Sequence, residues 1–279
     1  MAAKSPLAAA DSIESADGTK LAYRAWPKPG AAITFAAVHG FAEHSGRYAP
    51  FAEGMARHNI GSFAIDLRGH GMSPGQRGHV DSWSQWTDDV AAFVKHVEGV
   101  TGGEVIPIGH SFGGMAVLST VLAGKVPNSK RFVVSAPALK LKLAVPAWKL
   151  TLNRLTAGVM PRLAMSNELD PRTLSRIPEV VEAYRSDPLV HRTISNRMFG
   201  EWENATREIL ARAGEIKVPF LILAGTDDAL VDPAGSRQLH EQAPAMSEFQ
   251  MLEGRYHEPF NDIGSEEVFQ LIADWLRKN

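Results

Sequence analysis

One serine lies at the centre of a pentapeptide whose spacing suits nucleophilic chemistry. Gly109-His110-Ser111-Phe112-Gly113 fits the pattern Gly-x-Ser-x-Gly, which places a serine hydroxyl on a sharp turn between a strand and a helix. An apolar run at residues 105–108 precedes the turn, and an apolar stretch at 112–122 follows it. An ordinary glycine-rich strand-to-helix turn is the alternative, but this context favours a nucleophilic Ser111.

A serine hydroxyl is a weak nucleophile and needs a base to take its proton. On a sheet with such a turn, the partners follow the serine in the order acid, then histidine. His257 lies in the loop between the last predicted strand and the last predicted helix. His240 falls within a predicted helix and His191 within a long middle segment. The sequence therefore favours His257 as the base.

Three aspartates follow the predicted strand at residues 220–224, where the acid is expected: Asp227, Asp228 and Asp232. The first two come almost directly off the strand and are placed to cap the turn. Asp232 lies further along, before Pro233 and a predicted helix. We predict that Asp232 holds the histidine ring, and the alternative role of Asp232 is the N-cap of that helix.

Two backbone amides are needed to stabilise the oxyanion of an acyl-transfer intermediate. One is the N–H of Phe112, the residue after the serine, and the other should come from the loop after the strand at 33–38. There, His39-Gly40-Phe41 offers the Phe41 amide. Because only backbone is needed, the Phe41 side chain is left to line an acyl pocket.

The surrounding elements alternate between apolar strands and amphipathic helices, which predicts an α/β fold with a mainly parallel sheet covered on both faces. Asp17-Gly18 predicts an antiparallel hairpin at the edge. The alternation stops between about residues 136 and 212 and then resumes. We therefore predict a core in two parts, residues 1–136 and 213–279, and a helical insertion at 137–212.

Composition narrows the class of protein. The 279 residues carry a formal charge of −2, which gives no electrostatic basis for nucleic-acid binding. The absence of cysteine excludes disulfides, a cysteine nucleophile and thiolate metal sites, and suits a reducing compartment. Residues 1–10 are too weakly apolar for a secretory signal. A cytoplasmic protein that needs neither metal nor organic cofactor is expected.

With these motifs in order, the chain resembles α/β-hydrolases of the monoacylglycerol lipase and lysophospholipase branch. The resemblance implies an eight-stranded sheet, a cap formed by the insertion, the triad Ser111, Asp232 and His257, and oxyanion amides at Phe41 and Phe112. It also implies release of a fatty acid from a lipid monoester through an acyl-serine. The residues that carry it are 39–40 with 43–48, 66–71 with 73, 109–114, 186–189, Asp232 and 256–258.

The same resemblance suggests residues that contact the substrate. Glu43 and Arg47 match family residues that organise the alcohol end of the site, although an ion pair at a helix entry is an equal alternative. The animal lipases have a second histidine three residues after the catalytic one, where this chain has Phe260. We therefore expect a more apolar alcohol end. Asp66 and Arg68, in a glycine-containing turn, are expected to be scaffold.

The start of the insertion alternates leucines with basic residues, among them Lys140, Lys142 and Lys149. Such a stretch can lie on a lipid interface, so transient, peripheral membrane contact is a hypothesis. The alternative is a cap helix with its leucines buried and its lysines in water. Two other functions remain open: a short-chain or general carboxylesterase, and a ligand-binding protein on the same fold.

Overall fold

The computed structural model describes residues 11–142, 156 and 158–279. Its strands are β1 (Asp11–Glu14), β2 (Lys20–Trp26), β3 (Ile33–Val38), β4 (Ile60–Ile65), β5 (Glu104–His110), β6 (Phe132–Ser135), β7 (Ala164–Ser166), β8 (Thr193–Ser195), β9 (Phe220–Gly225) and β10 (Ser247–Leu252). Eight of them form one sheet in the order β1-β2-β4-β3-β5-β6-β9-β10. β1 and β2 are the predicted antiparallel edge hairpin, and from β4 to β10 the neighbours run parallel.

Helices cover both faces of this sheet, as the sequence predicts. In the described residues they are α1 (Ala49–Arg57), α2 (Trp83–Thr101), α3 (Phe112–Leu122), α4 (Pro178–Ser186), α5 (Asn196–Arg212), α6 (Pro233–Gln242) and α7 (Ser265–Lys278). One apolar core joins α1 and α7 to the sheet through Phe51 and Phe269. The other joins α2 and α3 to the opposite face through Trp86, Phe93 and Met115.

α2 illustrates how sequence sets these boundaries. Ser82 and Gln85 form a capping box at its start, and Gly102 ends it in the left-handed conformation with φ 66°. Trp86, Val90, Phe93 and Val97 are buried on one face, as expected for one of the predicted amphipathic helices. None of the helices among the described residues is both long and apolar enough to cross a bilayer.

Between β6 and β9, the described chain contains α4, α5 and a small antiparallel pair formed by β7 and β8. The sequence predicted no strand here, because three-residue strands are too short to show a period of two. The division at residues 137 and 212 stays a prediction. Most of the leucine- and lysine-rich stretch, residues 143–155 with Lys149, lies outside the described residues.

Candidate active site

Ser111 lies at the end of the central strand β5 and immediately before α3, in a strained backbone conformation. Its φ of 53° and ψ of −118° fall outside the regions that L-residues prefer. A Cβ on Gly109 would lie 2.3 Å from the carbonyl oxygen of Gly113, and one on Gly113 would lie 2.3 Å from that of Val38. Both positions therefore require glycine, which explains the spacing of the motif.

The acid that contacts the histidine is Asp228. Its Oδ2 lies 2.7 Å from Nδ1 of His257, and both side chains are buried. The other oxygen, Oδ1, accepts the N–H groups of Leu230 at 2.8 Å and Val231 at 2.9 Å. Burial raises the pKa of Asp228, but His257 and these amides outweigh burial and lower the pKa below its ordinary value. Asp228 is therefore a carboxylate at neutral pH.

The prediction that Asp232 holds the histidine is wrong. Asp232 is the N-cap of α6, where it accepts the Ala234 N–H at 2.9 Å, and it pairs with Lys140 at 2.8 Å. Residues 140–142 run beside residues 230–232, since the Asp232 N–H donates to the Lys140 carbonyl and the Lys142 N–H to the Leu230 carbonyl, both at 2.8 Å. This pairing holds Asp232 at the surface.

Asp228 could have been identified from its neighbours in sequence. Ala229, Leu230 and Val231 follow it, and an aspartate that leads directly into an apolar run is a candidate for burial. Asp232 before Pro233 already carries a full explanation as a helix N-cap.

His257 has a geometry suited to a general base. Its Nδ1–H donates to Asp228, which leaves Nε2 as the proton acceptor. Burial lowers the pKa of His257, but the Asp228 carboxylate and its hydrogen bond raise it more, so the pKa lies above its ordinary value. The neighbouring His110 ring lies 4.7 Å away between centroids. Burial and the charge of His257 lower the pKa of His110 to about 4, so it is neutral.

Phe41 and Phe112 line the same cavity as Ser111 and His257. Phe112 is the first residue of α3, so its N–H has no acceptor within the helix and points along the positive end of the helix dipole. The oxyanion role of both amides stays a prediction.

The direction of the Phe41 amide is fixed by His39. Nε2 of His39 accepts the Leu67 N–H at 3.0 Å, so its Nδ1 carries the proton and donates to the Gly40 carbonyl at 2.7 Å. That carbonyl and the Phe41 N–H belong to one planar peptide unit and point in opposite directions. His39 thus orients the amide that was predicted to bind the oxyanion.

Glu43 and Arg47 form the ion pair that was one of the two predicted alternatives, at 2.6 Å between Arg47 Nη1 and Glu43 Oε2. Arg47 also makes a bidentate pair with Glu258, at 2.6 Å for each bond. The partnership of Glu258 with Arg47 is not apparent from the sequence, because 211 residues separate the two. Glu43 and Glu258 reach the cavity wall.

Phe260 does not lie in the wall of that cavity as the structure describes it. Its ring packs in the core against Phe51, with centroids 4.9 Å apart, and stacks on Phe269 at 6.3 Å. Phe260 also lines a small pocket with Glu43, His110 and Glu258. Its place at the alcohol end of the site stays a prediction.

The cavity has a volume of about 220 Å³ and is mostly apolar. The core contributes Ser111, His257, Phe41 and Phe112 to its lining, and the segment between β6 and β9 contributes much of the remainder. The apolar side chains of that segment are Leu141, Met165, Leu169, Leu174, Ile194, Phe199 and Trp202. A concave apolar site with a few polar groups suits a ligand with a hydrocarbon portion.

Other matching motifs hold the scaffold together. Asp66 accepts the Ser45 N–H at 2.7 Å and the Met72 N–H at 2.9 Å. Arg68 pairs with the buried Asp89 at 2.6 Å. Neither Asp66 nor Arg68 is among the described residues that line the cavity. Their contacts agree with the predicted scaffold role.

The segment between β6 and β9 is attached to the loop after β3. His44 lies 2.9 Å from Asp187 between Nε2 and Oδ2, and the His191 N–H donates to the Ala42 carbonyl at 3.1 Å. The 43–48 and 186–189 motifs therefore meet in space.

A family model described as "Serine aminopeptidase, S33" matches residues 29–264. The chain is 32% identical to an uncharacterised abhydrolase domain-containing protein of Dictyostelium discoideum, over 95% of this chain but only 28% of that protein. It is 30% identical to human monoglyceride lipase, covering 95% of this chain and 89% of the relative. The crystal structure of Paleococcus ferrophilus monoacylglycerol lipase has a TM-score of 0.81 and 33% identity, covering 92% and 98% of the two chains.

Proposed function

The chain belongs to the family described as "Serine aminopeptidase, S33", with an α/β-hydrolase fold, and on that basis we propose that it is a serine carboxylester hydrolase that releases a fatty acid from lipid monoesters. Monoacylglycerols and lysophospholipids are the proposed substrate class. The observation that carries the proposal is the buried Asp228–His257 pair, whose histidine lines the same apolar cavity as Ser111.

In the proposed reaction, Ser111 Oγ attacks the ester carbonyl carbon while His257 Nε2 accepts the hydroxyl proton. Asp228 holds the ring and stabilises the imidazolium. The Phe41 and Phe112 amides bind the oxyanion of the tetrahedral intermediate. The C–O bond to the alcohol then breaks, and His257 returns its proton to the leaving alkoxide. Water attacks the acyl-serine by the same steps in reverse, which releases the fatty acid and restores Ser111.

The apolar wall favours a long acyl chain over a short one. The rings of Phe41 and Phe112 pack 5.0 Å apart beside the serine, and Phe199 and Trp202 continue the apolar surface. Each methylene buried there contributes about 0.8 kcal/mol. A series of esters with increasing acyl length, at concentrations below aggregation, tests this point. A maximum of kcat/KM at acetyl or butyryl esters would favour the general carboxylesterase.

We further propose that the enzyme works in the cytoplasm and meets its substrate at the surface of membranes or micelles. Val159 and Met160, between β6 and β7, are 79% and 50% exposed, and Leu163 is exposed beside them. Such side chains can enter a lipid interface. Lys140 and Lys142 are poor sites for a test, because they bind Asp232 and the Asp228 carbonyl.

Replacing Val159 and Met160 together by serine tests contact with a lipid interface and leaves unchanged the loop that carries Asp228. We expect weaker partitioning onto liposomes, with unchanged kcat/KM on a soluble short ester. Equal partitioning of the variant and the wild type would contradict the proposed contact.

The decisive test of the hydrolase function is fatty-acid release from a long-chain 1-monoacylglycerol and a lysophospholipid, by wild type and Ser111→Ala. We expect release by the wild type alone, with both proteins showing the same circular dichroism and Tm. If the wild type hydrolyses neither lipid nor any ester of the length series, the proposal is wrong.

A further inference from the structure

Three charged side chains form a buried cluster between two loops of the site. Arg47 lies at its centre, with Glu43 on one side and Glu258 on the other. Both carboxyl side chains are about 95% buried, and the Arg47 side chain is 90% buried. Two carboxylates share one guanidinium, and such charges are retained in a protein interior only when they are paired.

Each carboxylate is connected to a different part of the proposed machinery. Oε1 of Glu43 accepts the Gly40 N–H at 2.7 Å, and Gly40 directly precedes Phe41. Glu258 directly follows His257, and its own N–H donates to the Leu174 carbonyl at 3.0 Å. A chain of bonds therefore runs from the loop after β3 that carries Phe41, here called the oxyanion loop, through Arg47. It ends at the loop after β10 that carries His257, here called the histidine loop.

Three of the five N–H groups of the Arg47 guanidinium are paired with carboxylates of the protein. Nη1 donates to Glu43 and Glu258, and Nη2 donates to the second oxygen of Glu258. The ring of the buried Tyr184 covers one face, with its centroid 4.7 Å from Cζ. Two carboxylates within the protein balance the charge of Arg47, so a substrate anion is not its natural partner.

We propose that Arg47 is a positioning residue that couples the oxyanion loop to the histidine loop, and so fixes the Phe41 amide relative to the ring of His257. The inference rests on the proposed ester hydrolysis. Acyl transfer needs the oxyanion donors, the nucleophile and the base within about 0.5 Å of their productive positions. A rigid bidentate fork can hold two loops in one register, whereas a flexible ammonium cannot.

The test uses Arg47→Lys, which keeps the charge but loses the fork. We expect kcat to fall roughly a hundredfold, the size of effect that a displacement of about 1 Å produces, while KM stays nearly constant. Affinity for an alkyl boronic acid, whose serine adduct is tetrahedral, should fall in parallel with kcat. The matched control is Arg57→Lys in α1, because Arg57 pairs with Glu266 in an exposed position. This control should leave kcat and boronate affinity unchanged.

A second variant keeps the test decisive if Arg47→Lys folds poorly. Glu258→Gln retains the acceptor oxygen but loses the charge, and we expect a smaller loss of kcat with the same parallel loss of boronate affinity. A double-mutant cycle of the two substitutions should be strongly non-additive, because both break one connection.

Three results would overturn the inference. Arg47→Lys and Glu258→Gln with kcat equal to the Arg57→Lys control would exclude positioning, while an active wild type would leave the hydrolase function intact. A rise in KM at constant kcat would show that Arg47 binds substrate instead. A wild type inactive on every ester would remove the proposed function itself, and this inference with it.

Discussion

Two groups of carboxylates near His257 differ in their surroundings. In the first group, the Asp228 carboxylate receives the ring N–H and two backbone amides, and its ion pair among the described residues is with His257. In the second group, Glu43 and Glu258 share Arg47, and their described contacts include no ring nitrogen of His257. Asp228 is therefore positioned to stabilise an imidazolium, whereas the Arg47 cluster is positioned to hold backbone. The two groups differ in the partner of the carboxylate, and the proposed roles differ with that partner.

Ser111→Ala has the largest expected effect on kcat and gives the residual rate against which variants of both carboxylate groups are compared. Removing the nucleophile should lower kcat by about 10⁶-fold, leaving only what binding and the oxyanion amides contribute. Steady-state fatty-acid release measures this loss, and scanning fluorimetry checks the fold. An active Ser111→Ala protein would remove the basis for comparing the two groups at all.

Asp228→Asn should lower kcat by about 10⁴-fold, because an amide cannot hold the required tautomer or stabilise the imidazolium. Its matched control is Asp232→Asn, four residues along the same loop. Asparagine is as good an N-cap as aspartate, so kcat and Tm should remain near the wild-type values. Both variants are measured on one soluble ester. A large loss in Asp232→Asn and none in Asp228→Asn would restore the acid predicted from sequence.

The pH dependence of kcat/KM separates the two groups further. The neutral ring of His257 is the base, so activity should rise with pH through its pKa, which lies above the ordinary 6.5. Asp228→Asn removes the largest influence that raises this pKa and leaves burial, which lowers it, so the acid limb should move to lower pH. Glu258→Gln should move the limb in the same direction by less. A limb that does not move in Asp228→Asn would contradict the assignment of Asp228.

Phe260→Leu should have the smallest effect on the reaction. Because Phe260 packs between Phe51 and Phe269, the substitution should lower the free energy of unfolding by about 1–3 kcal/mol. The ratio of activities on glycerol and methyl esters of one acid should stay constant. The two measurements are urea unfolding and the ratio of activities. A changed ratio would support the predicted place of Phe260 at the alcohol end of the site.

What the sequence predicted correctly is local in the chain. The elbow around Ser111 is specified by a five-residue motif with two glycines, together with the strand directly before it and the helix directly after it. The loop of His257 follows from its position between the last strand and the last helix. The choice between Asp228 and Asp232 is not local, because the pairing of residues 140–142 with 230–232 decides it from about 90 positions away.

Ion pairs between residues far apart in the sequence are equally hard to predict. Arg47 has an acidic residue four positions earlier, which sequence reveals, and another 211 positions later, which it does not. Phe260 shows a related limit, because the family resemblance gives its position in the chain but not its packing against Phe51 and Phe269. Sequence motifs indicated the candidate residues, and tertiary contacts determined which of them meet.

The pairing of residues 140–142 with the loop that carries Asp228 has a consequence for chimaeras. The Lys142 side chain donates to the Asp228 carbonyl at 2.5 Å, and Leu141 forms a β-bridge with Val231. Residues 140–142 therefore make stabilising contacts with the core of the protein, and they should not be exchanged together with the segment that follows them. A graft that brings a foreign acyl-binding segment should be joined after Lys142, and one joined at residue 137 would carry away part of the support of Asp228.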